Sequence, residues 1–239
     1  MRRVILTIGL AILFFCNIVL GAENWDIYSN TDISEGTYNL INIYDTPPDN
    51  TTVNMFGGSA DFITTYNEST LNFYDGYSDI QTVNWSVCNI YGGEIGFITA
   101  SDNSTLNFYN SYDATSLVAE DFSIIYVQGG YIGNLHAHQS GVIYLYGGAI
   151  PGHEGATGTI TADDSSIVNI YGYDLFKTSS GGFYGNGQVY GFLMDDTYIS
   201  VDLYNSEAYE HINLIPEPAT LSLFSLAGLI FVCKQNRRK

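Results

Sequence analysis

The stretch Leu71-Asn72-Phe73-Tyr74 returns almost unchanged as Cys88-Asn89-Ile90-Tyr91 and as Leu106-Asn107-Phe108-Tyr109. Each copy reads apolar, polar, apolar, aromatic, and a glycine often follows. Further copies of the pattern begin at Ile41, Val53, Ile125, Ile143, Val168 and Val201, with a degenerate copy over residues 187–190. Between residues 54 and 144 the second position recurs after 18, 17, 18, 19 and 18 residues. A period this regular predicts a repeat architecture.

Alternation within each copy has the period of a β-strand, which places the two apolar residues on one face. A second short apolar segment follows several copies, at Phe62–Thr65, Phe97–Ala100, Leu135–His138 and Thr159–Ala162. A unit of two strands and two turns is too short to bury its own core, so units must stack. The sequence therefore predicts an all-β, single-domain β-solenoid of nine or ten coils, roughly 40–45 Å long at one strand spacing per coil.

The turns of this solenoid also carry a sequence signal. Glycine pairs follow the first strand at Gly57-Gly58, Gly92-Gly93, Gly129-Gly130 and Gly147-Gly148, where a sharp corner needs residues that tolerate positive φ. The Gly-rich run Ser179–Gly187 predicts a protruding loop. Residues 24–40 and about 199–214 are predicted to cap the two ends.

Charge limits the function classes. Residues 23–215 hold 24 Asp and Glu, one Lys and no Arg, a net charge of −23. Nucleic-acid binding requires cationic side chains that face the phosphates, so we do not expect this protein to bind nucleic acid. Cys88 is the one cysteine in this segment, so an intrachain disulfide cannot form. No cofactor is predicted.

Residues 1–22 have the organisation of a secretory signal peptide. Met1-Arg2-Arg3 is a short basic region, residues 4–20 are mostly apolar, and Leu20-Gly21-Ala22 ends in small residues. We expect cleavage after Ala22 and export of the chain. An uncleaved membrane anchor is an alternative. A lipoprotein signal around Cys16 is a weaker one, because Phe15 before the cysteine is not small.

Residues 216–239 form three consecutive parts. Pro216-Glu217-Pro218 is rigid, because proline fixes φ and cannot continue a strand. Residues 219–233 are apolar and predict a transmembrane helix, although this run is shorter than the ~20 residues of an ordinary span. A basic tail, 234–239, carries Lys234, Arg237, Arg238 and Lys239. Cations after an apolar run act as a stop-transfer cluster, which favours a membrane helix over a buried one.

This order of Pro-Glu-Pro, apolar helix and terminal basic cluster resembles the PEP-CTERM sorting signal of bacterial surface proteins. The resemblance is limited to residues 216–239. It implies processing near Pro216-Glu217-Pro218 by an exosortase-type enzyme, membrane anchoring through the helix before processing, and a cell-surface or extracellular location often associated with exopolysaccharide. An ordinary C-terminal anchor is the alternative.

Two side-chain series of the repeat are candidates for function. The aromatic positions predict an outward stripe on which sugar rings stack, with Tyr74, Tyr91, Tyr109, Tyr146 and Tyr171 as its main members and Tyr44, Phe56, Gln128 and Tyr204 as further ones. Stacking that only stabilises neighbouring coils is the simpler interpretation. The asparagines at positions 42, 54, 72, 89, 107 and 169 are expected to hydrogen-bond between coils.

Other polar residues offer weaker candidates. His136 and His138 share one strand face, and His153 follows in sequence, but no further ligand completes a metal site, so none is predicted. Asp163-Asp164 and Asp195-Asp196 are similar to the clustered acids of β-helix glycosidases. Adjacent residues of a strand point to opposite faces, however, and Asp at turns caps backbone amides.

These observations favour an exported, non-catalytic β-solenoid of the cell surface or extracellular matrix. A glycan-binding adhesin that uses the tyrosine stripe is the first alternative. A polysaccharide-degrading β-helix enzyme is the second.

Overall fold

The structure is a computed structural model, and it describes residues 22–47, 50–151 and 157–217. These residues form an all-β solenoid in which each turn contributes one strand to each of two parallel ladders. We call them ladder A and ladder B. Each ladder contains nine strands. Together the two ladders form a solenoid of about seven turns.

Ladder A is built from β2 (Thr31–Ile33), β4 (Thr52–Met55), β6 (Thr70–Phe73), β8 (Val87–Ile90), β10 (Thr105–Phe108), β12 (Ile124–Val127), β14 (Val142–Leu145), β16 (Ile167–Thr178) and β19 (Ile212–Pro216). Ladder B is built from β1 (Glu23–Ile27), β3 (Thr37–Tyr44), β5 (Ser59–Tyr66), β7 (Tyr77–Thr82), β9 (Glu94–Ala100), β11 (Asp113–Ala119), β13 (Ile132–Ala137), β15 (Thr159–Ala162) and β18 (Tyr198–Leu203).

Alternation explains the core. In β10, Leu106 and Phe108 are fully buried while Thr105 and Asn107 are only half-buried, and the same pattern recurs from β4 to β14. The apolar pairs of both ladders form one continuous hydrophobic cluster. The prediction that the apolar pair of each repeat lies inside and the polar and aromatic pair outside is therefore confirmed, except in the copy at 201–204, where Asp202 is buried.

Two kinds of corner link the ladders. From ladder B to ladder A the chain turns, in six successive corners, through one residue with positive φ: Asn67, Asn84, Asp102, Asp121, Gln139 and Asp164. From ladder A to ladder B it turns at glycine in most coils, and Gly58, Gly93, Gly130 and Gly148 have φ between 85° and 100°. The predicted glycine corners are confirmed.

The regular path ends at β16. Instead of turning after Tyr171, the chain continues straight and pairs antiparallel with β17 (Gln188–Leu193), which pairs in turn with β18. The Gly-rich run Ser179–Gly187 is the exposed connection between β16 and β17, as predicted. A one-turn helix, α1 (Ala208–His211), precedes β19, and Lys177 Nζ donates to the carbonyls of Tyr209 and Ile212, each at 2.7 Å.

Three of the predicted repeat copies are wrong in position. Residues 41–44 lie in β3 of ladder B, and residues 201–204 end β18 of the same ladder. The degenerate copy at 187–190 lies in the antiparallel excursion. Removing the first two leaves seven copies, which is why nine or ten coils was too many. Seven turns at about 4.8 Å correspond to roughly 34 Å.

The expected caps are also corrected. Residues 24–40 contain β1, β2 and the start of β3, and residues 199–214 contain most of β18, α1 and most of β19, so both ends continue the ladders. The predicted signal peptide (1–22, of which only Ala22 is described) and transmembrane helix (219–233) lie outside the described residues. Among the residues that are described, no helix has the length and apolar character that crossing a bilayer requires.

Candidate functional site

The aromatic stripe follows the outer end of ladder A. Each of its five predicted main members directly follows a buried residue of ladder A. These members are Tyr74, Tyr91, Tyr109, Tyr146 and Tyr171. Phe56 begins the stripe and Gln128 interrupts it. Tyr44 and Tyr204 do not belong to it: Tyr44 stacks between Tyr28 and Tyr66 on ladder B, and Tyr204 contacts Tyr184 edge-on.

Four rings form one continuous stack. The centroid distances along Phe56, Tyr74, Tyr91 and Tyr109 are 4.9, 4.8 and 4.9 Å, and the planes differ by 10° at most. The rings are 36% to 50% exposed. Neighbouring rings cover one another's faces, so within the stack the side chains present mainly their edges and hydroxyls to solvent. Burial, followed by the charges of Tyr109 and Tyr74, raises the pKa of the Tyr91 hydroxyl, which keeps it neutral.

The stack is interrupted at Gln128. This residue occupies the position between Tyr109 and Tyr146 in the ladder A register. Tyr146 starts a second, shorter stack with Tyr171, at a centroid distance of 4.5 Å. Within the described residues, the ring of Tyr109 stacks on one aromatic ring only, that of Tyr91, and the ring of Tyr146 stacks only on that of Tyr171. One face of each ring is therefore not covered by another aromatic side chain.

A cleft opens at this interruption. It has a volume of about 500 Å³ and is lined by Tyr126, Gln128, Tyr146, Met194 and Asp195. The first three come from ladder A and the last two from the turn between β17 and β18. That turn is fixed to the solenoid because Met194 N–H donates to Tyr146 O at 2.9 Å and Gly148 N–H donates to Asp195 Oδ2 at 2.8 Å.

The asparagine series serves structure. Asn107, Asn89, Asn72 and Asn54 each donate from Nδ2 to the side-chain oxygen of the preceding turn at 2.8 Å, and the series ends on Asp32 Oδ1. Tyr126 and Tyr144 replace asparagine in the next two turns and stack at 5.1 Å. Asn213 then donates to Asn169 at 3.0 Å. Asn42 makes the corresponding bond on ladder B, to Asp26.

A buried serine ladder was not predicted. At the ladder B to ladder A corner, a serine hydroxyl donates to a backbone carbonyl of the preceding turn, at 2.8 to 3.2 Å. The pairs are Ser69 to Ile43, Ser86 to Thr65, Ser104 to Thr82, Ser123 to Ala100 and Ser166 to Ala137. A signal for it exists in the sequence, because each serine stands three residues before the outward polar or aromatic residue of the repeat.

The histidine and aspartate candidates are placed separately. His138 Nδ1 lies 2.9 Å from Asp163 Oδ2, and the rings of His136 and His138 stack at 6.0 Å. His153 lies outside the described residues. Within residues 22–47, 50–151 and 157–217, no group of three or more His, Cys, Asp or Glu side chains is arranged to hold a metal.

The two aspartate pairs do not converge. Asp164 occupies a positive-φ corner position, and Asp196 accepts a hydrogen bond from the Tyr173 hydroxyl at 2.9 Å. Asp195 accepts from backbone N–H groups through both carboxylate oxygens, Gly148 on Oδ2 and Thr197 on Oδ1. Asp195 thus caps backbone amides at a turn, whereas Asp163 faces His138 and Asp196 faces Tyr173.

The predicted sorting motif begins at the end of β19. Pro216 ends β19 opposite Gly172, and Glu217 N–H donates to Gly172 O at 3.1 Å. Pro218 and the stop-transfer cluster Lys234, Arg237, Arg238 and Lys239 lie outside the described residues.

No family model, curated protein or solved structure matches the chain.

Proposed function

We propose that the protein is an exported, non-catalytic rod of the cell surface or extracellular matrix. The observation that supports this is the coil-to-coil hydrogen bonding of its repeated polar side chains. Asparagines on the outer face of ladder A bond to the neighbouring turn, and so do the buried serines and the acidic or amide side chains of the ladder B to ladder A corner. Because polar side chains in successive turns hydrogen-bond to the neighbouring turn, the solenoid forms a stiff, regular rod, which suits a scaffold.

The proposed cellular location of this rod is based on the PEP-CTERM resemblance. In the proposal, the signal peptide exports the chain, the apolar segment 219–233 retains it in the membrane, and an exosortase-type enzyme processes the tail near Pro216-Glu217-Pro218. The fold is compatible with this order, because the proposed motif begins at Pro216, where β19 ends. Association with exopolysaccharide is part of the proposal.

Mass spectrometry of the surface-exposed protein tests the proposal. Processing predicts a C-terminus near Pro218, and removal of Lys234–Lys239 predicts loss of membrane retention and release of unprocessed chain into the medium. Replacing those four cations by Gln, with the length unchanged, is the matched control that separates charge from length. An intact C-terminus on the mature surface protein contradicts the processing step, and cytoplasmic retention of the wild type contradicts export.

A further inference from the structure

We propose that the cleft at Gln128 binds a neutral saccharide. The observation behind this is the juxtaposition of uncovered aromatic surface, a free amide and a carboxylate around one opening. The proposal goes beyond the rod proposed above and differs from a stripe-wide glycan surface, since it places the site where the stripe is interrupted.

Ring faces are the first requirement. Sugars present C–H-rich faces that pack on the negative face of an aromatic ring. Along Phe56 to Tyr109 each face is used by the next ring, with planes 3° to 10° apart. At Gln128 the series is broken, and Tyr146 contributes aromatic surface to the cleft wall. A saccharide placed there takes the stacking position that an aromatic side chain occupies in the other turns.

Hydrogen-bonding groups are the second requirement. The side-chain amide of Gln128 is exposed and, within the described residues, has no hydrogen-bond partner, so it offers both a donor and an acceptor to ring hydroxyls. Asp195 is held in place by Gly148 N–H and Thr197 N–H, one on each oxygen. Each of these oxygens keeps a further lone pair for a ligand hydroxyl.

Size and charge define the ligand class. A volume of about 500 Å³ lies within the ordinary range of small-molecule sites. Asp195 is a wall of the cleft, and residues 23–215 carry a net charge of −23. Both disfavour uronic acids and sulfated sugars by repulsion. The ligand is therefore an uncharged sugar unit or a short neutral segment of a longer chain.

Titration calorimetry with the full-length protein tests the site. The probes are hexasaccharides of glucose, mannose and galactose, with a polyuronate hexasaccharide for comparison. We expect measurable binding of at least one neutral probe and none of the polyuronate. Absence of binding to all three neutral probes, or preferential binding of the polyuronate, overturns the proposal.

Gln128→Tyr is the decisive variant, because it fills the interruption with the aromatic ring that the other turns carry. The variant is expected to unfold at no lower denaturant concentration than the wild type and to bind the neutral probe at least about tenfold more weakly. Gln128→Leu, which keeps the size and removes the amide, provides a second test if the tyrosine does not fold, and binding weaker by about tenfold is expected again.

Tyr74→Ala is the matched control, since Tyr74 lies in the middle of the covered stack. It should leave the affinity within about twofold of the wild type. Unchanged binding in both Gln128 variants overturns the cleft, and loss of binding in Tyr74→Ala alone assigns the ligand to the stripe instead. None of these results bears on export or tail processing, which mass spectrometry tests separately.

Discussion

His136 and His138 lie two residues apart on one strand face but in different electrostatic surroundings. His138 is paired with Asp163 at 2.9 Å. Burial and the neighbouring His138 lower the pKa of His136 below its ordinary value of 6.5, and Asp163 opposes this in part. His136 lies between Val118 and Thr161 in the ladder B register. The position therefore favours a neutral imidazole, because burial disfavours the charged form more than Asp163 favours it.

The environment of His136 predicts that the stability of the folded chain depends on pH. Because the pKa of His136 is lower in the folded chain, the unfolded chain binds more protons as the pH falls through 6.5, and the folded state loses stability there. His136→Thr, which copies Thr161 of the next turn, should remove this contribution. We expect the free energy of unfolding to fall more steeply in the wild type than in His136→Thr between about pH 7 and about pH 5. Urea titrations across that range measure it, and parallel curves contradict the assignment.

At the scale of the element, the corner from ladder B to ladder A has the same length and chemistry in most turns. Four residues link the strands in most turns, as at 83–86, 101–104, 120–123 and 138–141. The first and last positions form a short backbone bond, such as Ser104 N–H to Ser101 O at 3.2 Å. A buried serine ends most of these corners. Gly141 replaces it in one turn, where a Cβ atom would contact the Ala119 carbonyl too closely for a serine to fit.

The serine ladder predicts a measurable loss of stability. Ser104 is 1% exposed, and its hydroxyl donates to Thr82 O at 3.0 Å. Ser104→Ala removes the donor and leaves that carbonyl with one bond fewer, at an expected cost of about 1–3 kcal/mol. Asn103→Ala, one residue earlier and exposed, should change stability by about 0.5 kcal/mol or less. Guanidinium unfolding of both variants measures the difference, and equal midpoints would show that the ladder contributes nothing.

Strand alternation was enough to predict the apolar core positions, because alternate residues are buried along ladder A from β4 to β14 and over Ile41–Tyr44 of β3 on ladder B. That same equivalence explains the error at Ile41–Tyr44. Asn42 bonds to Asp26 and Tyr44 stacks on Tyr66, just as Asn72 and Tyr74 bond and stack on ladder A. The local pattern is identical, and only the partner strand distinguishes the two ladders.

The cleft at Gln128 was beyond sequence reasoning for a different reason. The sequence places Gln128 in the stripe, but Met194 and Asp195 lie much further along the chain. They reach the cleft because β16 continues straight after Tyr171 and the excursion folds back against Tyr146 and Gly148. No periodicity encodes that return, since it happens once.

For the whole molecule, contacts between neighbouring turns dominate. Each regular strand pairs with the strands one turn before and one turn after it on the same ladder, in parallel register. Stability in such a chain is close to a sum over turns and their interfaces. Equivalent positions are not spaced quite evenly along the sequence. The strands of ladder A keep their register, and shifts in the pairings of β7 with β5 and β9 on ladder B absorb part of the difference in length.

Removal of one complete turn tests this view of the rod. Val87 faces Thr105 in the ladder A register, so the complete turn at this point is Val87–Ser104. Its deletion joins Ser86 to Thr105 and brings Asn107 opposite Asn72 and Tyr109 next to Tyr74, which preserves both outer series. We expect a folded, cooperative protein whose denaturant m-value is lower by about one seventh, because less surface is exposed on unfolding.

Deletion of Asn107 alone is the matched contrast. It shifts the end of β10 by one position, so that Phe108 takes the outward place and Tyr109 the inward one. Phe108 is completely buried in the intact chain and Tyr109 is 36% exposed, so the shift exposes a core side chain and forces a hydroxyl into an apolar interior. The cost should exceed the roughly 3–5 kcal/mol of a Phe→Ala truncation. The variant that lacks only Asn107 should therefore unfold at a lower denaturant concentration than the variant that lacks the complete turn, and the reverse order would contradict the nearest-neighbour description of the solenoid.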